Sequence, residues 1–317
     1  MDTMIVSSSP HLHSGNSTTR LMRDVLIALI PAVVASVILF GWRALAVESV
    51  CVGACVGAEY LCCVARKKPV SVGDLSCVVT GVLLAMNLPV TIPLWQAVFG
   101  CVAAIVVAKM LFGGLGQNFV NPALIGRIVL TGSFPSDMNT WTRPLAWLGM
   151  QGDAVSSATP LELMKNGEAV QEQYGLWDML LGNRTGSLGE TCALALLLGG
   201  IYLVARRVIA PTIPLCYAGT VFVLAWLAGE NPLYHLLSGG LLLGAIYMAT
   251  DYVTSPLTTP GKILYAIGCG LLTMLIRLFG SLPEGVSFAI VIMNIVTPLI
   301  DRFTVPTAFG CERRSRR

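Results

Sequence analysis

Ten apolar runs divide the chain, at about 24–41, 45–64, 73–88, 94–113, 121–133, 190–206, 210–228, 233–250, 262–279 and 284–300. A helix crossing the roughly 30 Å of bilayer hydrocarbon needs about 20 such residues, and fewer where neighbouring helices shelter it. Helices satisfy their own backbone amides in that medium, so runs of this length and number predict an all-α polytopic membrane protein of about ten transmembrane helices. Composition agrees: charged residues make up 12% of the chain and hydrophobic residues 55%, with a mean hydropathy of +0.75. A soluble domain carries about twice that charge, roughly 25%. A secreted enzyme and a disordered chain are excluded, and the net charge of +3 forms no basic face, so no nucleic-acid partner is expected. The fifth run carries Asn121, Pro122 and Arg127, and reads as a broken or partly re-entrant helix lining a site.

Orientation follows from Lys and Arg. With both termini cytoplasmic, Arg20, Arg23, Arg66, Lys67, Lys68, Lys109, Arg127, Arg206, Arg207, Lys262, Arg302 and the tail arginines 313, 314, 316 and 317 fall inside, which leaves Arg43, Arg143, Lys165, Arg184 and Arg277 outside. Fifteen cations against five make a clear bias. Three parts are predicted: a membrane half over 1–133, one long extracytoplasmic segment over 134–189, and a second membrane half over 190–317. Long connections of this kind are usually functional. The polar residues 1–20 ahead of the first run argue against a cleaved signal peptide.

The halves resemble each other. Pro89, Pro93 and the Leu111, Phe112, Gly113 triplet recur 167 positions on as Pro256, Pro260 and Leu278, Phe279, Gly280. Five spans per half is an odd number, so the second half is expected upside down, an inverted repeat that gathers sites at the interface between halves. All ten cysteines but Cys311 lie in apolar runs and no CxxC occurs. They read as small buried side chains, and no metal site is predicted. Adjacent Cys62 and Cys63 could in principle bind iron at a subunit interface, which one chain alone does not argue.

The long segment contains GDAVSSATPLELM, with Asp153, Ser156, Ser157 and Thr159. Taken alone it starts a helix, with Thr159 as N-cap, Pro160 in the first turn and Glu162 three residues on. The order Asp-x-x-Ser-Ser-Ala-Thr also resembles the acceptor sequence of flavin transferases, which join FMN to a threonine hydroxyl. With SSATPLELM at 156–164, GSLGET at 186–191, FGGLGQNFVNPALIGR at 112–127, MATDYVTSP at 248–256 and PEGVSFAIVIMN through PLID at 283–301, the chain resembles the D subunit of the Rnf complex, an ion-translocating ferredoxin:NAD oxidoreductase. It is similar, more distantly, to the B subunit of the sodium-pumping NADH:quinone reductase. The likeness runs along nearly the whole chain. It departs from the usual acceptor at Ser157, where glycine is frequent, and from the quinone-reductase relatives at Met110, where they tend to carry an acid.

The resemblance implies an inner-membrane electron-transfer subunit coupled to Na+ or H+ movement. Covalent FMN on Thr159, noncovalent riboflavin, a flavin transferase during maturation, and the A, B, C, E and G subunits of the Rnf complex as partners follow from it. Thr159 suits attachment as an exposed loop threonine. Gly186 and Gly189 would let backbone amides approach a phosphate, although GSLGE reads equally as a plain turn that starts a helix. In the FGGLGQNFVNP loop, Gly113 and Gly114 permit close backbone approach, and Asn118 and Asn121 offer amides to a flavin edge, where the relatives hold riboflavin. A glycine-rich turn with a capping asparagine is the other reading. Acids within a bilayer are costly and usually functional. Glu59, inside the second run, is the leading ion-pathway candidate. Asp251 and Asp301 are further candidates at helix ends, where pairing with Lys262 or Arg302 would account for them equally. No nicotinamide fold or cluster-binding array is present, so those chemistries belong to partners. The rival classes are an inverted-repeat channel or secondary transporter without a redox cofactor, and a structural anchor that docks redox proteins.

Overall fold

The computed structural model describes residues 17–148, 158–167, 170–280 and 284–306, and these are all-helical. The acceptor residues Asp153, Ser156 and Ser157 lie outside the described residues. Ser17 caps α1 (Thr18–Phe40) by accepting from the Arg20 amide, and Gly41, at φ 73, turns the chain straight into α2 (Trp42–Ala65). A side chain at Gly41 would also meet the Trp147 ring at 2.8 Å, and Trp147 Nε1 donates to the Ile38 carbonyl. The corner between the first two helices is thus where the long segment begins its return over the bundle.

The first half continues through α3 (Ser76–Met86), α4 (Leu94–Val102), a π-helical stretch (Ala103–Met110) and α5 (Pro122–Ser133). Short helices α6 (Pro135–Met138), α7 (Pro160–Lys165), α8 (Val170–Gln173) and α9 (Leu176–Leu181) follow. The second half is built from α10 (Ala193–Ala205), α11 (Thr212–Leu227), α12 (Pro232–Leu237), α13 (Leu241–Leu243) running into a π stretch (Gly244–Met248), α14 (Thr259–Phe279) and α15 (Val286–Thr304). Each expected apolar run therefore contains helix. Among the described residues four helices, α1, α2, α14 and α15, are long and apolar enough to cross a membrane, with mean hydropathies of 2.2, 1.6, 1.7 and 1.6.

Two details differ from the sequence expectation. The fifth segment is one uninterrupted helix, because Asn121 Oδ1 caps it at Ala123 and Pro122 takes the first-turn position whose amide would go unused anyway. The eighth is the broken one. Ser238, Gly239 and Gly240 interrupt it, with Gly239 at φ 65.

Helix α2 packs on α3 and α4, α11 on α14, and α14 on α15, while α1 against α10 and α5 against α15 join the halves. Tyr247 fastens one of these seams by donating to the carbonyls of Ala28 and Leu196, at 3.2 and 3.1 Å. Gly199 lets the two helices approach there, since a Cβ on it would collide with the Ala28 carbonyl and the Tyr247 hydroxyl. Ile30, Ile38, Leu198, Ile201, Leu215, Trp226 and Phe303 face outward, while Glu59, Lys109, Arg127, Glu190 and Arg277 are buried. An apolar exterior over an ion-paired interior is a multi-pass membrane protein turned as the bilayer demands.

Candidate functional site

Two cavities lie at opposite ends of α5. The first is bounded by the glycine-rich loop, the start of α3, the π stretch after α4, and residues 246–253. Gly113, Gly114 and Gly116 have φ of 132, 109 and 86, values that L side chains rarely adopt, so the loop requires glycine at each. Asn118 and Asn121 line this cavity but are already engaged. Asn118 Nδ2 donates to the Val120 carbonyl and also bonds the Asp251 carboxylate, and Asn121 Nδ2 donates to the Met248 carbonyl at 3.3 Å. Lys109, Tyr247, Asp251 and Tyr252 add to its polar lining, with the hydroxyls of Ser76, Thr80 and Thr250.

Beside this cavity Lys109 Nζ lies 2.6 Å from Glu59 Oε2 and 2.5 Å from Ser76 Oγ, and Ser71 Oγ donates to Glu59 Oε1 at 2.6 Å. Glu59 is therefore a paired carboxylate. Its partner comes from fifty residues away and both are buried. A further buried acid escaped the sequence reading: Glu48, near the start of α2, accepts from Ser36 Oγ, and its other oxygen has no partner among the described residues. Its signal was available, an acid within an apolar run. Asp251 takes bonds from Thr254 and Asn118, and Asp301 Oδ1 accepts from the Leu257 amide. Among the described residues these hydrogen bonds are what hold the two acids.

The second cavity lies at the other end of α5, between α7, the start of α15 and the residues before α10. Thr159, Arg127, Glu190, Glu284, Trp141 and Phe288 line it. Thr159 is not the exposed loop residue expected: it is 7% exposed, and its Oγ1 accepts from the Glu162 amide as N-cap of α7. The cause is the apolar face of α7, whose Leu161 and Leu163 are buried and draw the helix start down with them. The Lys and Arg bias places Arg127 with the opposite, cationic end. Its long side chain reaches into this cavity instead, where Nη1 donates to Asn87 Oδ1 at 2.6 Å and Nη2 pairs with Glu284.

The GSLGET segment supports the floor. The Leu188 and Gly189 amides donate to the carbonyls of Leu88 and Met86 at the end of α3, so they are spent on the chain and not offered to a phosphate. Gly189 is needed for that contact, because a Cβ would strike Met86, and Gly186 leaves room for the Glu190 carboxylate. Glu190 is 4% exposed and its Oε2 has no partner among the described residues, while Arg184, 1% exposed, donates to the carbonyls of Glu190 and Thr191. Arg277 donates to the carbonyls of His235, Ser238 and Glu284. The arrangement is a partly enclosed pocket lined by one arginine, Arg127, and two carboxylates, Glu190 and Glu284, with the Thr159 hydroxyl at its edge.

The sequence matches the NQR2, RnfD, RnfE family over residues 5–310. It is 47% identical to the D subunit of the Na(+)-translocating ferredoxin:NAD(+) oxidoreductase complex of Acetobacterium woodii, over 98% of this chain and 96% of that one. It is 44% identical to the D subunit of the proton-translocating ferredoxin:NAD(+) oxidoreductase complex of Clostridium ljungdahlii, over 97% and 96%. With the D subunit of the ion-translocating oxidoreductase complex of Stutzerimonas stutzeri the identity is 40%, over 95% and 94%.

Proposed function

Since the chain belongs to the NQR2, RnfD, RnfE family, we propose that it is the flavin-carrying subunit of a membrane complex that couples ferredoxin:NAD electron transfer to Na+ or H+ translocation. It crosses the inner membrane about ten times in two inverted halves, with both termini cytoplasmic and 134–189 outside. FMN is carried on Thr159, attached by a flavin transferase, and riboflavin occupies the cavity at the glycine-rich loop. The A, B, C, E and G subunits of the complex supply the nicotinamide and iron–sulfur chemistry. Glu59 with Lys109, and Asp251, flank the ion route. Asp301, fixed on a backbone amide, is the weaker candidate.

The observation that carries this reading is the setting of Thr159. Its hydroxyl borders a cavity that holds a buried arginine and an unclaimed carboxylate oxygen, a donor and acceptor set that fits a phosphate ester and the hydroxyls of its polyol. Trp141 and Phe288 give the same cavity apolar walls. When bound, the flavin supplies one- and two-electron transfer. The chain's own residues hold it: α7 fixes Thr159, and Arg127 is kept in place by Asn87 and Glu284.

The test is the mass and in-gel fluorescence of the chain purified from a host that contains the transferase. A phosphodiester survives denaturation, so the wild type should fluoresce and weigh one FMN more than its sequence. Thr159→Asn keeps an N-cap for α7 but removes the hydroxyl, and should assemble without fluorescence. An unmodified wild-type mass from that host would overturn the flavin reading and favour a transporter without redox cofactor.

A further inference from the structure

We propose that the cavity at the glycine-rich loop admits only an uncharged ligand that brings its own N–H and O–H donors, and that Glu59 sets this choice by cancelling the Lys109 charge at the cavity wall. The proposal rests on the reading of that cavity as a riboflavin site and adds what keeps a phosphorylated flavin out. Among the described residues that line the cavity, the charged ones are Lys109 and Asp251. Lys109 Nζ lies 2.6 Å from Glu59 Oε2 with both side chains sealed, so the pair presents no net charge. Asp251 is an acid whose carboxylate already takes hydrogen bonds from Thr254 and Asn118. Among these residues no cation is left to meet an anion. Arg20 and Arg23 flank Leu21 and Met22 on α1 but are exposed, where solvent and salt screen them. A phosphate monoester carries a charge of about −1.5 to −2 at pH 7, and burying it without a counter-charge is costly.

The hydroxyls of the lining add a second reason. Each has one proton and two lone pairs to place. Thr80 Oγ1 donates to the Ser76 carbonyl at 2.9 Å, Thr250 Oγ1 to the Ile246 carbonyl at 2.6 Å, and the Tyr252 hydroxyl to the Val208 carbonyl. The Tyr247 hydroxyl is spent on the carbonyls of Ala28 and Leu196. Ser76 Oγ donates to Asp74 Oδ1 at 2.6 Å and accepts from Lys109. With their protons committed, what these oxygens still offer is lone pairs. A phosphate also brings lone pairs, so the two surfaces repel, whereas the imide of an isoalloxazine and the hydroxyls of a ribityl chain bring the donors that such oxygens need. Charge and hydrogen bonding thus select the same chemistry.

The experiment strips the assembled complex of its noncovalent flavin and titrates it with riboflavin and with FMN, following flavin fluorescence. The wild type should bind riboflavin, and FMN at least about tenfold more weakly, as expected for a charge buried without a partner. Leu115→Lys adds a cation to the glycine-rich loop at the cavity wall, where Leu115 is half-buried, and should narrow that ratio severalfold. Glu59→Gln releases Lys109 from its partner and should narrow it as well; where that variant assembles too poorly to titrate, Leu115→Lys decides alone. Equal affinity for the two flavins in the wild type, or a ratio unchanged in Leu115→Lys, would overturn the proposal and leave the flavin site standing. A stripped wild type that binds neither flavin overturns the riboflavin reading itself, which separates that result from the others.

Discussion

Lys109 and Glu59 meet at 2.6 Å with both side chains sealed from solvent. Removing one member of such a pair strands the other charge, which typically costs about 3–5 kcal/mol, whereas replacing both with apolar or neutral groups costs far less. Glu59→Gln and Lys109→Met should each lower thermal stability in detergent sharply, and the double variant should melt above both. Additive losses in the double variant would mean that the two groups are not coupled.

The seam between α1 and α10 makes a second prediction. Gly199→Ala puts a methyl group against the Ala28 carbonyl and the Tyr247 hydroxyl, and overpacking of this kind costs about 1–3 kcal/mol or more. Gly219→Ala is the control. That glycine is exposed in α11 with nothing within 4 Å of an added Cβ, so the change should be neutral or raise stability by up to about 1 kcal/mol. Equal melting shifts in the two variants would contradict the packing argument.

Thr159 has two duties that chemistry can separate. Thr159→Ser retains both the cap and an esterifiable hydroxyl, so it should keep α7 and carry some flavin. Thr159→Ala loses both, with a capping loss of roughly 0.5–2 kcal/mol. Limited proteolysis near Lys165 reads the first effect and in-gel fluorescence the second. Flavin on Thr159→Ala would place the attachment elsewhere.

Asp251 sets a pH dependence. Burial raises its carboxyl above the ordinary carboxylate range, against hydrogen bonds from the Val253 backbone, Thr254 and Asn118. The folded chain then holds a proton that the unfolded chain, titrating near pH 4, has released. Stability from this group is therefore present at acid pH and falls as pH rises from about 4 through the raised value. Asp251→Asn should flatten that limb of a plot of melting temperature against pH, and an unchanged limb would assign it to another group.

Asn166, exposed at the end of α7, tests orientation. Asn166→Cys should react with a membrane-impermeant maleimide added outside intact cells. Reaction only after the cytoplasmic side is opened would reverse the topology.

Local pattern carried much of this structure. Each apolar run contains helix, and Asn121 with Pro122 and Thr159 with Pro160 mark helix starts where the residue types require them. Gly113, Gly114 and Gly116 announced a turn that only glycine makes. What eluded the sequence was set by distance along the chain. Glu59 finds Lys109 fifty positions on, Arg127 finds Glu284 at the opposite end from its expected side, and the amides of Leu188 and Gly189 go to α3. No local periodicity encodes those pairings. The burial of Thr159 belongs to the same class, because it depends on where the apolar face of α7 docks.

Helix α5 is the wall shared by the two cavities: Asn121 and Pro122 face one, Arg127 and Thr131 the other. Six residues at about 1.5 Å rise each put roughly 9 Å between Asn121 and Arg127 along the axis. A partition that thin is a short step for an electron, and the Arg127 pairings with Asn87 and Glu284 tie it to α3 and α15 on the far side. Occupants of the two chambers would face each other across this one helix, close enough to exchange electrons without exchanging matter.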